Sequence, residues 1–337
     1  MKPTDFSKSL TDFLSKYLPG EKGMSTNTIQ SYKTTFILFI TFMENQIGIR
    51  VAQLSLRDVT QERVVKFLNW LQSERKCSDS SRNVRLAAFH SFVRYLQYST
   101  PESLYEWQRI LAISVKRSQK KAINYLTIEG MKLLLEQPNQ ATRTGRRDLA
   151  MLSLMYDCAA RVQEIIDLTP VMVRLNKPYT IKLIGKGNKA RIVPLLEQQV
   201  VHLQRYLQEY ALLEGYANLY PLFSNHRKEK LTRAGVAYIL KKYLDSARLK
   251  SPMLIPEKAS CHSLRHSKAM HLLQANVNLI YIRDILGHTS VQTTEIYARA
   301  DSKQKREAIE KAYIGLVMDE DPKWLVDEDL LSWLKAF

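Results

Sequence analysis

Four short segments in the second half of the chain carry side chains that could take part in catalysis. In chain order they contain Arg161, Lys186, the run His262-Ser-Leu-Arg265-His266, and Leu-Gly-His288 followed by Tyr297. Guanidinium, ammonium and imidazole groups donate hydrogen bonds to phosphate oxygens, and a tyrosine oxygen can act as a nucleophile. If the fold brings these residues together, they favour chemistry at a phosphate.

Each segment also has an ordinary structural interpretation. Arg161 close to Glu164 is typical of a structural ion pair, and Gly-Lys-Gly-Asn-Lys around Lys186 is typical of a basic β-hairpin turn. This turn does not match a P-loop, because it lacks the Gly-x4-Gly-Lys-Ser/Thr spacing and a following helical pattern. Tyr297, at the end of a helical pattern, is typical of a core residue.

A zinc site must be considered at His262 and His266, because residues four apart share one face of a helix. The metalloprotease pattern has Glu directly after the first His, where this chain has Ser263, and the fixed charge of Arg265 would oppose a dication. A phosphate fits better, since His262 and Arg265 can both donate to one phosphate group. We therefore predict no metal and no other cofactor.

Taken together, the segments supply what phosphoryl transfer on DNA requires without a metal. The oxygen of Tyr297 can form a stable phosphodiester link. Arg161 and Arg265 can neutralise the equatorial oxygens of the transition state. Lys186 can protonate the departing 5′-oxygen.

The charge of the chain also favours a polyanionic partner. There are 50 Lys and Arg against 33 Asp and Glu, a formal net charge of +17, although residues 319–329 form an acidic tail. A field of this sign attracts nucleic acid, and it attracts other polyanions as well. Both halves of the chain are basic, which favours two lobes that close on one polyanion.

Composition narrows the class of protein. The 337 residues suggest about two domains, and 45% hydrophobic with 25% charged residues exclude wholesale disorder. The three cysteines, Cys77, Cys158 and Cys261, are too few for a disulfide framework and indicate a reducing interior. The apolar stretch 35–43 is too short to span a bilayer, and the first residues lack the order of a secretory signal. We expect a soluble, cytoplasmic protein.

The first 110 residues have helical spacing. Ser25 or Thr26 is expected to cap one helix, a second begins near Thr60, and a third begins near Ser80 or Ser81. The apolar positions expected to face inward are, helix by helix, Thr28, Tyr32, Phe36 and Phe39; then Val64, Phe67, Leu68 and Leu71; then Val84, Ala88, Phe92 and Tyr95.

Several cations are candidates for contact with DNA phosphates. On the outer face of the third helix we expect Arg82, Arg85 and Arg94, although a solvated face is the plainer interpretation. A basic linker and the hairpin turn add Lys116, Arg117, Lys120, Lys121 and Lys189. Our candidate DNA-binding residues are Arg82, Arg85, Lys116, Arg117, Lys120, Lys121 and Lys189.

The second part of the chain combines helical periodicity with strand periodicity. Thr127 is expected to cap a helix through Leu135, and a longer helix covers about 147–158. Residues 180–184 and 190–194 form two strands around the glycine-rich turn, and helical spacing returns from about 198 to 313.

These motifs, in this order, resemble the tyrosine recombinase (lambda-integrase) family. The catalytic positions of the family correspond to Arg161, Lys186, His262, Arg265, His288 and Tyr297. Two local departures exist: Cys-Ala-Ala precedes Arg161 where Thr-Gly-Leu is usual, and Ala-Arg follows Tyr297 where Thr-His is usual. All six residues remain, so the chemistry is not in doubt.

The resemblance implies a mainly α fold in four parts. These are a helical, SAM-like core-binding domain (1–115), a basic linker (116–124), an α+β catalytic domain with a small antiparallel sheet (125–318), and an acidic tether with a C-terminal helix (319–337). In the last part, Leu330, Trp333, Leu334 and Phe337 form one apolar stripe. The family commonly docks such a helix into a neighbouring protomer, so we expect 328–337 to dock in trans; folding back in cis is the alternative.

The resemblance implies a site-specific recombinase, independent of metal and ATP, that acts through a 3′-phosphotyrosyl link and a Holliday junction. Its expected partners are double-stranded recombination sites and further copies of itself, as a dimer on one site and a tetramer in the synapse. Related recombinases or accessory proteins could assist it, and no membrane is involved. An integrase or transposase of a mobile element, located at the nucleoid, is favoured over an Xer-type dimer resolvase. A type IB topoisomerase and a non-catalytic DNA-binding factor remain as rivals.

Overall fold

The computed structural model describes residues 3–117, 122–300 and 330–336, without the side chains of Lys186, Leu330, Leu331 and Trp333. The chain divides into two compact units, Met1–Lys121 and Ala122–Phe337. The described part of the first unit is helical: α1 Asp5–Asp12, a π-helical segment Phe13–Glu21, α2 Thr26–Ile47, α3 Gln61–Ser73, α4 Asp79–Ser99 and α5 Leu104–Leu111.

Side-chain caps start the main helices of the first unit. Ser25, one of the two predicted caps, accepts a hydrogen bond from the backbone of α2. Thr60 does the same for α3, which begins where the sequence predicted. The third cap is Ser78, so α4 begins slightly earlier than the sequence suggested. Gly48 ends α2 in the left-handed region, with φ of 81°, where glycine carries no steric penalty.

An aromatic cluster forms the core of the first unit. Phe36 and Phe39 of α2 meet Phe89 of α4 with ring centroids 5.2 and 5.0 Å apart, and Phe67 of α3 closes the group. The predicted α3 stripe is fully buried, so that part of the prediction is confirmed. Tilted and edge-on ring pairs add to the free energy gained by burial.

The predicted inward face of α4 is confirmed in part: Ala88 and Phe92 are fully buried, but its first residue is not. Val84 is 46% exposed, whereas Leu86, Phe89 and Val93 are fully buried. Arg82 lies one turn before Leu86 on this inner face and is only 5% exposed, so it does not belong to an outer face. Ala88 and Phe92 fit both the predicted inward face, which starts at Val84, and the observed one, which includes Arg82 and Leu86. The predicted pattern therefore did not distinguish the two faces.

The second unit surrounds a small sheet with helices. Its helices are α6 Ile128–Leu135, α7 Arg143–Asp157, α8 Val162–Ile166, α9 Glu197–Glu209, α10 Arg233–Lys250, α11 Cys261–Gln274, α12 Leu279–Leu286 and α13 Glu295–Ala300. The strands are β1 Val173–Arg174, β2 Thr180–Ile184 and β3 Ala190–Pro194, in the antiparallel order β1-β2-β3. The predicted hairpin of β2 and β3 is confirmed, and Lys182 of β2 lies opposite Ile192 of β3. Strand β1 has two residues, which is too short for the alternation of side chains that reveals a strand in the sequence.

Between α9 and α10 the chain is irregular. Residues 210–232 contain a 3₁₀ turn Gly215–Ala217 and an isolated bridge between Ser224 and Lys230, so the expectation of helical spacing throughout 198–313 is wrong here. Residues 301–313 and the acidic tether lie outside the described residues. The C-terminal helix covers Leu330–Lys335, within the predicted helical stripe.

Two apolar clusters hold the second unit together. The larger packs α7, α9 and α10 against the sheet. The smaller consists of Ala159, Ala269, Met270, Leu273, Ile282, Leu286 and Tyr297. The smaller cluster positions α11, α12 and α13 next to one another, and these helices with the turn after α12 carry two of the four predicted catalytic segments. None of the helices in the described ranges has the length and apolarity needed to cross a bilayer.

Candidate active site

The carboxylate of Glu164 accepts hydrogen bonds from two arginines that lie on different elements. Glu164 of α8 accepts from both Arg191 Nη atoms of β3, at 2.7 and 2.8 Å. It also accepts from the backbone N–H and from Nη1 of Arg161, each at 2.8 Å. Arg191 Nε donates to the carbonyl of Ile285, at 2.8 Å. The predicted Arg161–Glu164 pair is therefore present, and Arg191 ties β3, α8 and α12 together.

The surroundings of Glu164 keep it ionised. Burial alone would raise its pKa, but the hydrogen bonds and charge of Arg191, together with Arg161, hold the pKa below its ordinary value. One negative charge faces two positive charges, so the cluster keeps a net positive charge.

Arg265 of α11 is a buried cation, 3% exposed. Its Nη atoms donate to the main-chain carbonyls of Ala159 and Leu286, at 2.6 and 2.5 Å. Burial, reinforced by the charges of Arg161 and Arg191, lowers the pKa of Arg265 to about 9, which leaves it protonated at neutral pH. Within the described part of the chain, it forms no salt bridge with a carboxylate.

His288 lies directly after Gly287, which ends α12 with a φ of 62°. A Cβ at Gly287 would lie 2.9 Å from Arg191 Cδ, so the turn needs glycine for both conformation and space. The Nδ1 atom of His288 lies 3.0 Å from the Thr294 hydroxyl. Burial and the charges of nearby arginines, Arg265 first among them, lower the pKa of His288 to about 4. This imidazole is therefore neutral at physiological pH.

The hairpin turn completes one wall of a cleft. Lys186 begins the short 3₁₀ turn between β2 and β3, and its side chain lies outside the described part of the structure. A Cβ at Gly185 would lie 3.1 Å from Glu164 Oε1, so the turn packs closely on the carboxylate. The cleft measures about 700 Å³ and is lined by Arg161, Gly185, Gly187, Lys189, Ala190, Arg191, Asp284, Gly287, His288, Thr289 and Thr293. A phosphate there would meet mainly positive charge.

Tyr297 of α13 is buried, with 1% of its surface exposed, and does not line this cleft. Its hydroxyl lies 2.9 Å from Nδ1 of His266 on α11. Burial raises the tyrosine pKa, against the opposing charges of Arg265 and Arg161. The structure thus places the expected nucleophile within hydrogen-bond distance of a histidine.

His266 is the site residue that sequence reasoning missed. The pattern does contain a signal for it, because His266 follows Arg265 and lies one helical turn after His262. The two histidine rings stack, with centroids 6.2 Å apart. Burial lowers the pKa of His262, and the charges of Arg265 and Arg161 lower it further. Among the described residues, no group of three or more His, Cys, Asp or Glu side chains is placed to hold a metal ion.

The candidate DNA-binding residues have varied surroundings. Arg82 is buried, and its Nη1 is 3.5 Å from the carbonyl of Ser114, which corrects its expected exposure. Arg85 donates to the Ser31 carbonyl and the Thr35 hydroxyl of α2.

On the linker, Lys116 is exposed and donates to Gln72 at 2.6 Å, and Arg117 is exposed. Lys120 and Lys121 lie outside the described residues. Lys189 is exposed and is the member of the set that lines the cleft.

The mainly helical fold, the basic cleft and the tyrosine on a neighbouring helix fit the class of tyrosine recombinases. Residues 124–304 match the phage integrase family, and residues 10–98 match the phage integrase N-terminal SAM-like domain. The chain belongs to the phage integrase family and is a tyrosine site-specific recombinase.

Relatives agree with this assignment, and solved structures share the fold. A putative integrase/recombinase, y4rC, of Sinorhizobium fredii is 33% identical over 99% of both chains. Tyrosine recombinase XerD of Halalkalibacterium halodurans is 30% identical over 85% of this chain and 91% of its own. The fold is similar to XerH recombinase bound to its difH substrate (TM-score 0.67, 23% identity, 86% of this chain, 80% of that chain). It is also similar to the Tn1549 transposon integrase in complex with a circular intermediate DNA (TM-score 0.65, 15% identity, 90% of this chain, 99% of that chain).

Proposed function

We propose that this recombinase cuts and rejoins double-stranded DNA for a mobile element, through a 3′-phosphotyrosyl link on Tyr297. The observation that carries the proposal is Arg265, a buried cation whose two hydrogen-bond acceptors are uncharged carbonyls. A buried charge without a counterion is costly, and a bidentate guanidinium matches a phosphate well. The scissile phosphate would supply the missing negative charge.

The other candidate catalytic residues take roles that fit their surroundings. Arg161, anchored by Glu164, donates to the same phosphate from the cleft wall. His262 and neutral His288 donate hydrogen bonds to the phosphate oxygens without adding a full charge. Lys186 on the hairpin turn protonates the 5′-oxygen as it leaves. The 5′-hydroxyl of a partner duplex then attacks the link, so bond energy is conserved and neither ATP nor a metal is needed.

Cations of both units would contact the DNA backbone, with the net charge of +17 supplying the attraction. Lys189, Lys116 and Arg117 are exposed and suited to phosphate contact. Arg82 and Arg85 would need new side-chain positions to do the same, whereas Lys120 and Lys121 would extend the linker contact. Such a protein would work in the cytoplasm, at the nucleoid.

A mobile-element role is favoured by the relative named integrase/recombinase, which aligns with 99% of this chain. The XerD relative, which matches 85% of it, favours the alternative role of chromosome or plasmid dimer resolution. The XerH and Tn1549 structures were both solved with DNA, which supports double-stranded recombination sites as the substrate. A Holliday junction would require four protomers on two such sites.

We also propose the four-part organisation 1–115, 116–124, 125–318 and 319–337, with residues 328–337 docking in trans. The side chain of Leu334 is exposed in the single chain, which leaves it free to contact another protomer. Deleting 328–337 should preserve binding to one site and abolish tetrameric synapsis, measured by native gel and by sedimentation. A truncated protein that forms synapses normally would contradict this role.

The chemistry is tested with a nicked suicide substrate built from repeats that flank the gene. Wild type should form a covalent adduct that survives SDS and is removed by protease, and Tyr297→Phe should bind the duplex but form no adduct. Lys186→Ala should cleave ordinary DNA slowly, and a 5′-bridging phosphorothiolate, which leaves without protonation, should restore its rate. If Lys186→Ala is equally slow on both substrates, Lys189 becomes the candidate acid.

Two rivals are separated by further assays. A type IB topoisomerase would relax supercoiled plasmid without joining two sites, whereas a recombinase joins partners in a two-site assay. A non-catalytic DNA-binding factor would form no adduct at all. Joining of two chromosomal dimer-resolution sites, but not of element ends, would favour the Xer-type role.

A further inference from the structure

His266 is the side chain that touches the hydroxyl of Tyr297. Its Nδ1 lies 2.9 Å from the tyrosine oxygen, and the ring centroids are 5.7 Å apart with a tilt of 56°. Resting on the proposed role of Tyr297 as nucleophile, we propose that His266 is the general base that takes the tyrosine proton during strand cleavage. The distance is within the range for direct proton transfer between heavy atoms.

The surroundings of His266 keep its imidazole neutral and able to accept. Tyr297 faces it from α13, His288 interacts with it from the segment after α12, and His262 and Arg265 lie on its own helix. Burial lowers its pKa, and the charges of His262 and Arg265 lower it further. A tautomer with its proton on Nε2 leaves Nδ1 free to accept from the tyrosine O–H.

The neighbouring His262 is less well placed for this role. Its ring stacks on His266 at a centroid distance of 6.2 Å, and within the described residues the Tyr297 hydroxyl bonds with His266. His262 and Arg265, one helical turn apart on α11, remain suited to the phosphate oxygens. The two histidines therefore have different roles: His266 acts on the hydroxyl of Tyr297, and His262 acts on the phosphate.

In both cleavage and ligation, His266 and Lys186 account for every proton that is transferred. In cleavage, the Tyr297 oxygen bonds to phosphorus, its proton passes to Nδ1 of His266, and the bond from phosphorus to the 5′-oxygen breaks. That oxygen takes its proton from the proposed acid, Lys186. In ligation the steps reverse, and the imidazolium returns its proton to the departing tyrosine, which the nearby positive charge of Arg265 favours.

The same helix offers a matched control. Nδ1 of His271 lies 2.8 Å from the hydroxyl of Tyr156, with ring centroids 5.8 Å apart. His271 is also buried, and burial lowers its pKa as well. This pair has the chemistry of the His266–Tyr297 pair and lies outside the proposed catalytic machinery.

The test compares His266→Asn with His271→Asn in the full chain. Single-turnover cleavage of the nicked suicide duplex is measured from pH 5.5 to pH 8.5. Wild type and His271→Asn should show a rate that rises with pH and then levels off. His266→Asn should be slower by about 10²–10⁴-fold and lose this rise. His266→Gln provides a second neutral variant if His266→Asn melts early.

A second measurement changes the nucleophile. Replacing Tyr297 with a fluorinated tyrosine of lower phenol pKa should shrink the difference between His266→Asn and wild type, because less assistance from a base is then needed. A wild-type pH profile in His266→Asn, or loss of the rise only in His262→Asn, would overturn the assignment of the base. An adduct formed by Tyr297→Phe would instead overturn the proposed function itself.

Discussion

Two arginine sites in the second unit balance their charges in different ways. At one, Glu164 accepts hydrogen bonds from Arg191 and Arg161, so a carboxylate is shared by two guanidinium groups. At the other, Arg265 bonds two main-chain carbonyls, whose partial charges do not neutralise a cation. The first site contains its own counterion, whereas we propose that the second gains one only when an anion binds. A buried charge can thus serve either folding or substrate binding, and its partner distinguishes the two roles.

Breaking the paired site should have the largest effect on folding. Glu164→Ala leaves the guanidinium groups of Arg191 and Arg161 without their shared acceptor, and we expect it to lower the free energy of unfolding by about 3–5 kcal/mol. Urea denaturation monitored by circular dichroism measures this change. A midpoint equal to that of wild type would show that water or another group compensates for the lost carboxylate.

Removing the unpaired charge should have the opposite pattern. Arg265→Met retains an extended side chain and removes a cation that forms no salt bridge among the described residues, so the free energy of unfolding should stay within about 1 kcal/mol of wild type. Cleavage of the suicide substrate should fall by about 10²–10³-fold, because a donor to the transition state is lost. Severe destabilisation with normal cleavage would reverse the roles assigned to the two sites.

An inorganic anion should reveal the unpaired site without any DNA. Sulfate stands in for the scissile phosphate and should raise the melting temperature of wild type, since binding to the folded state stabilises it by mass action. Arg265→Met should show a clearly smaller rise, with sodium chloride of equal ionic strength as the control. An identical sulfate effect in both proteins would indicate that the anion binds elsewhere.

The smallest effect concerns pH, through His288. Its pKa is about 4 in the folded chain, against about 6.5 when unfolded, so the unfolded chain binds more protons between these values. Stability should therefore be full above about pH 6.5 and fall as the pH drops toward 4. His288→Asn should reduce the slope of melting temperature against pH between 5 and 6.5, where carboxylates remain ionised. An unchanged slope would assign the acid sensitivity to the other buried histidines.

Features with a local cause were predictable from the sequence. The caps Ser25, offered with Thr26, and Thr127 were identified because a side-chain acceptor and the helix it serves lie within three residues. The hairpin around Gly187 was identified because strand periodicity changes abruptly at a glycine-rich turn. Each of these signals depends on hydrogen bonds or alternation between near neighbours.

Features that depend on packing were missed. Arg82 was assigned to an outer face because Ala88 and Phe92 fit two helical phases, and only the aromatic core of the first unit selects one. The irregular segment 210–232 was missed for a different reason: it contains Gly215, Pro221 and Ser224-Asn225, which are turn and breaker residues that the helical interpretation did not weigh.

The sequence by itself determined which chemical groups are present and in what order, including Arg161, Arg265 and Tyr297. Only the tertiary structure decided their partners. Arg191 meets a carboxylate 27 residues away, and His266 meets a tyrosine 31 residues away. Periodicity and capping act over one or two helical turns, whereas these pairs form because separate helices and a strand pack around the two apolar clusters of the second unit. The order of the residues therefore indicated the chemistry that we propose, and the packing decided which histidine reaches the hydroxyl of Tyr297.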